Sequence, residues 1–167
     1  MKTKPKSILS LLCLLALTSF FTGCGETVIS EDQVDVRDGL VYVHNQTKPL
    51  TGVVVNSSDI GQKVWEQGYL DGVKDGKWNR WFKSGDISEI GRYKSGRKSG
   101  EWISYYPTGL KKESCTFENG KRNGVCTKWN SDGRKISSRQ YKNGIRDGRW
   151  VEWTDDGIFR ESQGQYR

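Results

Sequence analysis

The sequence predicts an all-β protein: an elongated, single antiparallel β-meander of 24-residue hairpin repeats, preceded by a cleaved signal peptide. A repeat of fixed period, glycines at fixed turn positions and aromatic residues at fixed strand positions predict this fold. The unit that begins at Tyr69 has glycines at 72, 76 and 85 and tryptophans at 78 and 81. The same columns recur in the units that begin at Tyr93, Phe117 and Tyr141. Such a period is typical of folds in which each unit packs on its neighbours.

The first 23 residues are predicted to be a signal peptide. Three lysines precede an apolar run from Ile8 to Phe21, which is shorter than the roughly 20 residues that span a bilayer. Residues 21–24 resemble the bacterial lipobox, so we expect Cys24 to carry a lipid; an incidental cysteine is the alternative. Gly25 resembles the sorting pattern of outer-membrane lipoproteins. The expected location is the cell envelope, and the outer membrane facing the periplasm in a two-membrane bacterium.

The chain from Cys24 onward is long enough for one domain, since removing 23 of 167 residues leaves 144. Loss of three lysines with the signal peptide lowers the net charge from +7 to +4. This weak excess indicates no nucleic-acid partner. Residues 26–38 contain five acidic residues and one arginine, so residues 24–37 are expected to form a solvated acidic tether.

Residues 38–68 are predicted to form an N-terminal hairpin and a degenerate capping repeat. Asp38-Gly39 separates two runs of alternating apolar residues, which is a strong hairpin signal. Gly52 and Gly61 occupy the columns of the later turn glycines, although the tryptophan column is lost. Terminal repeats are commonly atypical because they cap the array.

Four full repeats follow, at residues 69–92, 93–116, 117–140 and 141–164, with a short C-terminal end at residue 167. Each is predicted to contain two strands, a turn at a glycine such as Gly85, and a second turn over Gly-x-x-x-Gly. Trp78 and Trp81 are three residues apart, so their side chains are expected on opposite faces of the sheet. Rings of about 150 to 250 Å² are expected to pack against the same column of the next repeat.

These columns, Tyr-x-x-Gly-x-x-x-Gly-x-Trp-x-x-aromatic-x-x-x-Gly, resemble the bacterial variant of the MORN repeat. The tether followed by Pro-Leu-Thr-Gly at residues 49–52 is similar to the YwqK-type proteins regarded as antitoxins. The resemblance covers about residues 33–166. It implies a non-catalytic protein that forms interactions, and it is carried by the turn glycines and stacking aromatics.

Two cysteines replace repeat residues in one unit. Cys126 stands in the tryptophan column and Cys115 in the column of Gly91. If Phe117 faces Gly124 across the turn, residue 115 faces residue 126. We therefore predict a disulfide, which an oxidising compartment permits and which would add about 2 to 3 kcal/mol by the chain-entropy model. Two separate thiols are the alternative.

The sequence contains no recognisable catalytic constellation, so we expect no enzyme activity, cofactor or metal. The only histidine, His44, has no fixed partner in the sequence. Glu89, Glu113 and Glu161 share a column, but stacked repeats would hold them about 10 Å apart. That separation is wide for a retaining glycosidase and at the edge of the inverting range. The cysteines lack the short spacing of a zinc site.

One pattern is not required by the scaffold. Every second turn carries a cation, and a meander places all of these turns on one long edge. The cations are therefore expected to form a basic row, with a step of about 10 Å, that attracts an acidic partner. Ordinary solvation of the turns is the alternative. The row comprises Lys74, Arg97, Lys98, Lys121, Arg122 and Arg146.

Three functions follow from this interpretation. The favoured one is a lipid-anchored envelope protein that binds a partner protein, as an antitoxin or immunity protein. A second is a glycan-binding module, and a third is a purely structural envelope protein. The open sheet edge also allows an edge-to-edge homodimer. The glycan-binding module would stack sugars on an exposed aromatic platform of Trp81, Tyr105, Trp129 and Trp153.

Overall fold

The structure, a computed structural model, describes the backbone of residues 26–154 and 159–165 and the side chains of residues 26–154. The predicted signal peptide and the predicted lipidation site Cys24 lie outside these residues. Within them, no helix is long and apolar enough to cross a bilayer. A short 3-10 helix spans Glu31–Gln33. The strands are β1 (Val28–Ser30), β2 (Val34–Arg37), β3 (Leu40–Val43), β4 (Gly52–Ser57), β5 (Lys63–Leu70), β6 (Val73–Trp81), β7 (Ile87–Lys94), β8 (Arg97–Tyr105), β9 (Lys111–Glu118), β10 (Lys121–Trp129), β11 (Lys135–Lys142), β12 (Ile145–Trp153) and β13 (Phe159–Gln165).

The predicted antiparallel meander is confirmed. Strands β4 to β13 pair in chain order, each with the next. The elements contact chiefly their hydrogen-bonded neighbours, so the sheet is a single layer with two faces. We call the face that carries Trp78, Trp102 and the two cysteines the front face. The back face is the opposite one, and it carries Trp81 and Tyr105.

The two turns of each repeat differ in length. The first turn spans five residues, and in it Phe82 N–H donates to the carbonyl oxygen of Asp86 at 2.8 Å. The second turn has only two residues, such as Asn119 and Gly120, whose φ angles of 50° and 80° define a type I′ turn. The predicted extent of this turn is wrong. Its second glycine, such as Gly124, lies inside the next strand at a β-bulge.

The described residues of the predicted solvated tether, 26–37, are largely exposed, but they form strands β1 and β2 and a 3-10 helix rather than an unstructured linker. Strand β1 lies parallel to β4, and Val53 N–H donates to the carbonyl oxygen of Thr27 at 2.7 Å. This pairing covers an edge strand whose backbone groups would otherwise lack partners. The predicted hairpin at Asp38-Gly39 is confirmed as strands β2 and β3. Val41 N–H donates to the carbonyl oxygen of Gly72 at 2.9 Å and so joins this hairpin to the main sheet.

Side chains link successive second turns along the edge. Asp75 Oδ2 accepts a hydrogen bond from Ser95 N–H at 2.9 Å, and Asn123 Oδ1 accepts one from Asn143 N–H at 3.4 Å. In the degenerate repeat Thr51 Oγ1 occupies the equivalent position and accepts from Asp71 N–H at 3.0 Å. These three turns are therefore fixed by a side chain of the repeat before them, and the turn at Gly120 is held by a backbone bond from Gly120 N–H to the carbonyl oxygen of Lys98 at 2.9 Å.

The best-buried aromatic residue of the described chain lies on the front face. Trp102 is only 5% exposed, and its ring packs edge-on against Tyr93 and Phe117 at centroid distances of 5.1 and 6.2 Å. A Cβ atom on Gly91 would lie 2.3 Å from the same ring. Glycine at this position therefore provides the space that the indole fills. The sequence predicted that rings would pack against the same column of the next repeat. The observed aromatic contacts instead join different columns.

Candidate binding surfaces

The predicted basic row does not form a single row. The second turns do lie along one edge, since Gly96 N–H donates to the carbonyl oxygen of Lys74 at 2.8 Å. Because each turn has only two residues, the cations after it belong to a strand and alternate between faces. Arg97 and Lys121 lie on the back face, opposite Lys94 and Glu118. The front face holds the other four, opposite the leading aromatics: Lys74, Lys98, Arg122 and Arg146.

Three of these four front-face cations lie over aromatic rings. Lys98 Nζ lies 3.6 Å from the Trp102 ring centroid and 5.3 Å from that of Phe117. A cation over a ring face is attracted by the ring quadrupole. These ammonium and guanidinium groups are therefore engaged within the fold. Two further pairs are Lys74 over Tyr93 at 5.3 Å and Arg122 over Tyr141 at 5.5 Å.

Half-burial lowers the pKa of Lys98. Desolvation lowers the pKa of its ammonium group below the usual 10.5. Glu89 acts against this shift and raises the pKa, whereas the positive charges of Arg122 and Arg80 add to the lowering. Lys98 is thus the front-face cation whose charge the fold destabilises, and it makes no ion pair with any described carboxylate.

The front-face carboxylates are engaged too. Glu113 Oε1 lies 3.7 Å from both Arg122 Nη2 and Lys128 Nζ. Glu89 accepts a hydrogen bond from Trp78 Nε1 at 2.8 Å. With Lys98 they border a cavity of about 100 Å³. The side chain of Glu161, the third member of the predicted column, lies outside the described residues.

The described residues hold no group of three or more His, Cys, Asp or Glu side chains that could bind a metal ion. His44 is exposed at the end of strand β3. Its backbone N–H donates to the carbonyl oxygen of Gln33 at 2.8 Å. This contact of the histidine is a backbone hydrogen bond that supports a turn.

Cys115 and Cys126 lie directly opposite each other on the front face, and their sulfur atoms are 2.17 Å apart in a disulfide. The pairing of Phe117 with Gly124, from which this disulfide was predicted, is nevertheless wrong, because Phe117 faces Arg122. The bulge places three residues of β10 opposite one residue of β9 and shifts the register by two. This shift brings residue 126 opposite residue 115.

The aromatic platform lies on the back face, as the spacing predicts. On the front face, the Trp78 ring stacks on the Trp65 ring at a centroid distance of 5.8 Å. On the back face, Lys63 Nζ lies 5.4 Å from the centroid of the Trp81 ring and forms an ion pair with Glu66. The four rings occupy equivalent strand positions about 10 Å apart, and each is half-buried. They are Trp81, Tyr105, Trp129 and Trp153; the last borders a cavity of about 290 Å³.

A different group of cations remains unpaired. Lys94 and Arg97 flank one two-residue turn, and Lys121 and Lys142 occupy the same positions at the next two turns. We call these four exposed residues the basic strip; all lie on the back face. None of their side chains makes a hydrogen bond or ion pair to another described residue. Sequence reasoning missed Lys94 and Lys142, because it assigned the turn to the wrong span; strand alternation around Ser95-Gly96 would have shown them.

The chain matches no protein-family model and no curated protein. Among solved structures, one match is the GtfA/B complex bound to UDP and GlcNAc, at 14% identity and a TM-score of 0.27. The match covers 87% of this chain and spans 29% of that one. At this TM-score the likeness supports no conclusion about the fold or the ligand.

Proposed function

We propose that this chain is a non-catalytic protein of the cell envelope that binds a partner protein through its extended sheet. The observation that carries the proposal is the back face, which presents partly exposed tryptophans at the five-residue-turn end of the strands and unpaired cations at the two-residue-turn end. Aromatic residues and arginine are enriched at protein interfaces and dominate their binding energy. The resemblance of the repeat to the bacterial MORN variant supports the same role.

The proposed anchor is a lipid on Cys24, and the proposed biological role is that of an antitoxin or immunity protein. Such a role requires one stoichiometric partner. The test is affinity capture from envelope and secreted fractions on the immobilised full chain, followed by titration of the purified captured protein. Saturable binding at a fixed ratio supports the proposal, and inhibition of that partner's toxicity would support the antitoxin role. Capture of no protein would overturn it.

A second candidate function is binding of envelope glycans. The observation that favours it is the placement of four half-exposed rings on one face with a regular step, which suits stacking on sugars. Titration with envelope glycans should then shift the tryptophan fluorescence, and Trp129→Ala should reduce the shift. An unchanged spectrum at saturating glycan would remove this candidate.

A further inference from the structure

The charges of the basic strip are unbalanced. Lys94 lies directly opposite Arg97, and adjacent strands are about 4.8 Å apart. Like charges in directly opposite positions destabilise a sheet. Two carboxylates near the strip are engaged elsewhere: Glu118 accepts a hydrogen bond from Asn123 Nδ2, and Asp75 accepts one from Ser95 N–H at 2.9 Å. An anion bound at the strip would therefore relieve a repulsion that the fold leaves in place.

Two cations of the strip begin close to the next turn. A Cβ atom on Gly120 would lie 3.6 Å from Arg97 Cβ, and one on Gly144 would lie 3.7 Å from Lys121 Cβ. Both glycines therefore leave room for the stem of a cation beside them, and both cations remain exposed.

The length of the strip indicates the kind of ligand. It crosses five strands, from β7 to β11, and four inter-strand steps amount to about 19 Å. This length matches about six residues of extended polypeptide and exceeds a single small anion. Exposed aliphatic side chains flank the strip at both ends, with Leu70 51% and Ile145 58% exposed.

We propose that the basic strip is the docking site for an extended acidic segment of a partner protein. The carboxylates of that segment meet the four cations. Aliphatic residues that flank its acidic part contact Leu70 on β5 and Ile145 on β12, seven inter-strand steps or about 34 Å apart, so the whole segment is about ten residues long. The inference rests on the proposed function and names the chemistry of its partner.

The test measures binding of fluorescein-labelled poly-glutamate to the full chain in neutral detergent, by fluorescence anisotropy. The strip variant combines four charge reversals: Lys94→Glu, Arg97→Glu, Lys121→Glu and Lys142→Glu. A matched control reverses four cations elsewhere on the same face, with the same change in net charge: Lys77→Glu, Arg92→Glu, Lys111→Glu and Lys135→Glu.

We expect the strip variant to weaken binding by at least about tenfold and the control by less than about threefold. Binding should also weaken when salt shortens the Debye length from about 10 Å to about 3 Å. Equal weakening in both variants, or no binding to the unmodified protein, would overturn the inference. If the reversed strip unfolds the chain, the four glutamine substitutions at the same positions provide the comparison.

Two further results separate the strip from its alternatives. Vesicles of phosphatidylglycerol that bind the protein through the strip, when poly-glutamate does not, would assign the strip to a membrane surface and overturn the inference. A captured partner that binds the strip variant unchanged would overturn the inference and leave the proposed function intact. Poly-glutamate bound at the strip without any captured protein would overturn the proposed function and, with it, the assignment of the acidic ligand to a partner protein.

Discussion

The two faces of the sheet treat their charges differently. On the front face Lys98 lies over the Trp102 ring, and the Glu113 carboxylate lies 3.7 Å from Arg122. On the back face the basic strip projects from the same turns without any partner in the described chain. Neighbouring residues of one strand, Arg97 and Lys98, belong to the two different groups. Strand alternation thus lets one repeat provide stability on one face and a binding surface on the other.

The largest expected difference between the faces concerns the aromatic residues. Trp102→Ala should lower the free energy of unfolding by about 3 to 5 kcal/mol, because it removes a buried ring and leaves a cavity beside Gly91. Trp129→Ala on the back face should cost less than about 2 kcal/mol, since that ring is half-exposed. Urea denaturation followed by far-ultraviolet circular dichroism measures both. Equal losses would show that the back face is packed as tightly as the front.

The disulfide is expected to give the next largest effect. Cys115→Ala with Cys126→Ala should lower the free energy of unfolding by about 2 to 3 kcal/mol by the chain-entropy model. Cys115→Gly with Cys126→Trp reproduces the Gly91 and Trp102 pair of the previous repeat and should recover part of this loss. Alkylation of the unfolded, unreduced protein followed by mass spectrometry checks the bond. Modification of either residue would contradict it.

The sharpest comparison uses two neighbours on opposite faces. Lys98→Ala should cost about 1 kcal/mol, because it removes a half-buried cation from two rings. Arg97→Ala should change the free energy of unfolding by less than about 0.5 kcal/mol, as exposed substitutions usually do. Poly-glutamate binding should show the opposite order, because Arg97→Ala should weaken it more than Lys98→Ala does. A larger loss of stability from Arg97→Ala would break the distinction between the faces.

The smallest expected effect is a pH dependence. The pKa of Lys98 is lowered by desolvation, so the unfolded state holds its proton at pH values where the folded state has begun to lose it. The contribution of Lys98 to stability therefore rises as pH increases from the lowered pKa to about 10.5, and Lys98→Met should abolish that rise.

Burial raises the pKa values of Tyr69 and Tyr93, which lowers stability above about pH 10 in both proteins. The measured quantity is therefore the difference between the Lys98→Met variant and the unmodified protein in urea denaturation at several alkaline pH values. A difference that is constant with pH would contradict the assignment.

Much of the fold could be predicted because the period is local. Gly85 and Gly61 mark the five-residue turns, and Asp38-Gly39 marks the hairpin, since each depends only on backbone conformation within a few residues. The opposite placement of Trp78 and Trp81 follows from strand alternation in the same way. Strand β1 could not be predicted, because three residues that pair in parallel with a strand more than 20 residues away leave no local signal.

The sequence alone determined the five-residue turns, the existence of a second turn in each repeat, the alternation of residues along each strand and the two columns that the cysteines occupy. These properties depend on steric limits on φ and on the two-residue period of a strand. Only the tertiary structure decided how strands register across a bulge, and so that Phe117 faces Arg122 while Cys115 faces Cys126. It also separated the cations into those that cover rings and those that remain unpaired, because that depends on the residues that neighbouring strands place beside them.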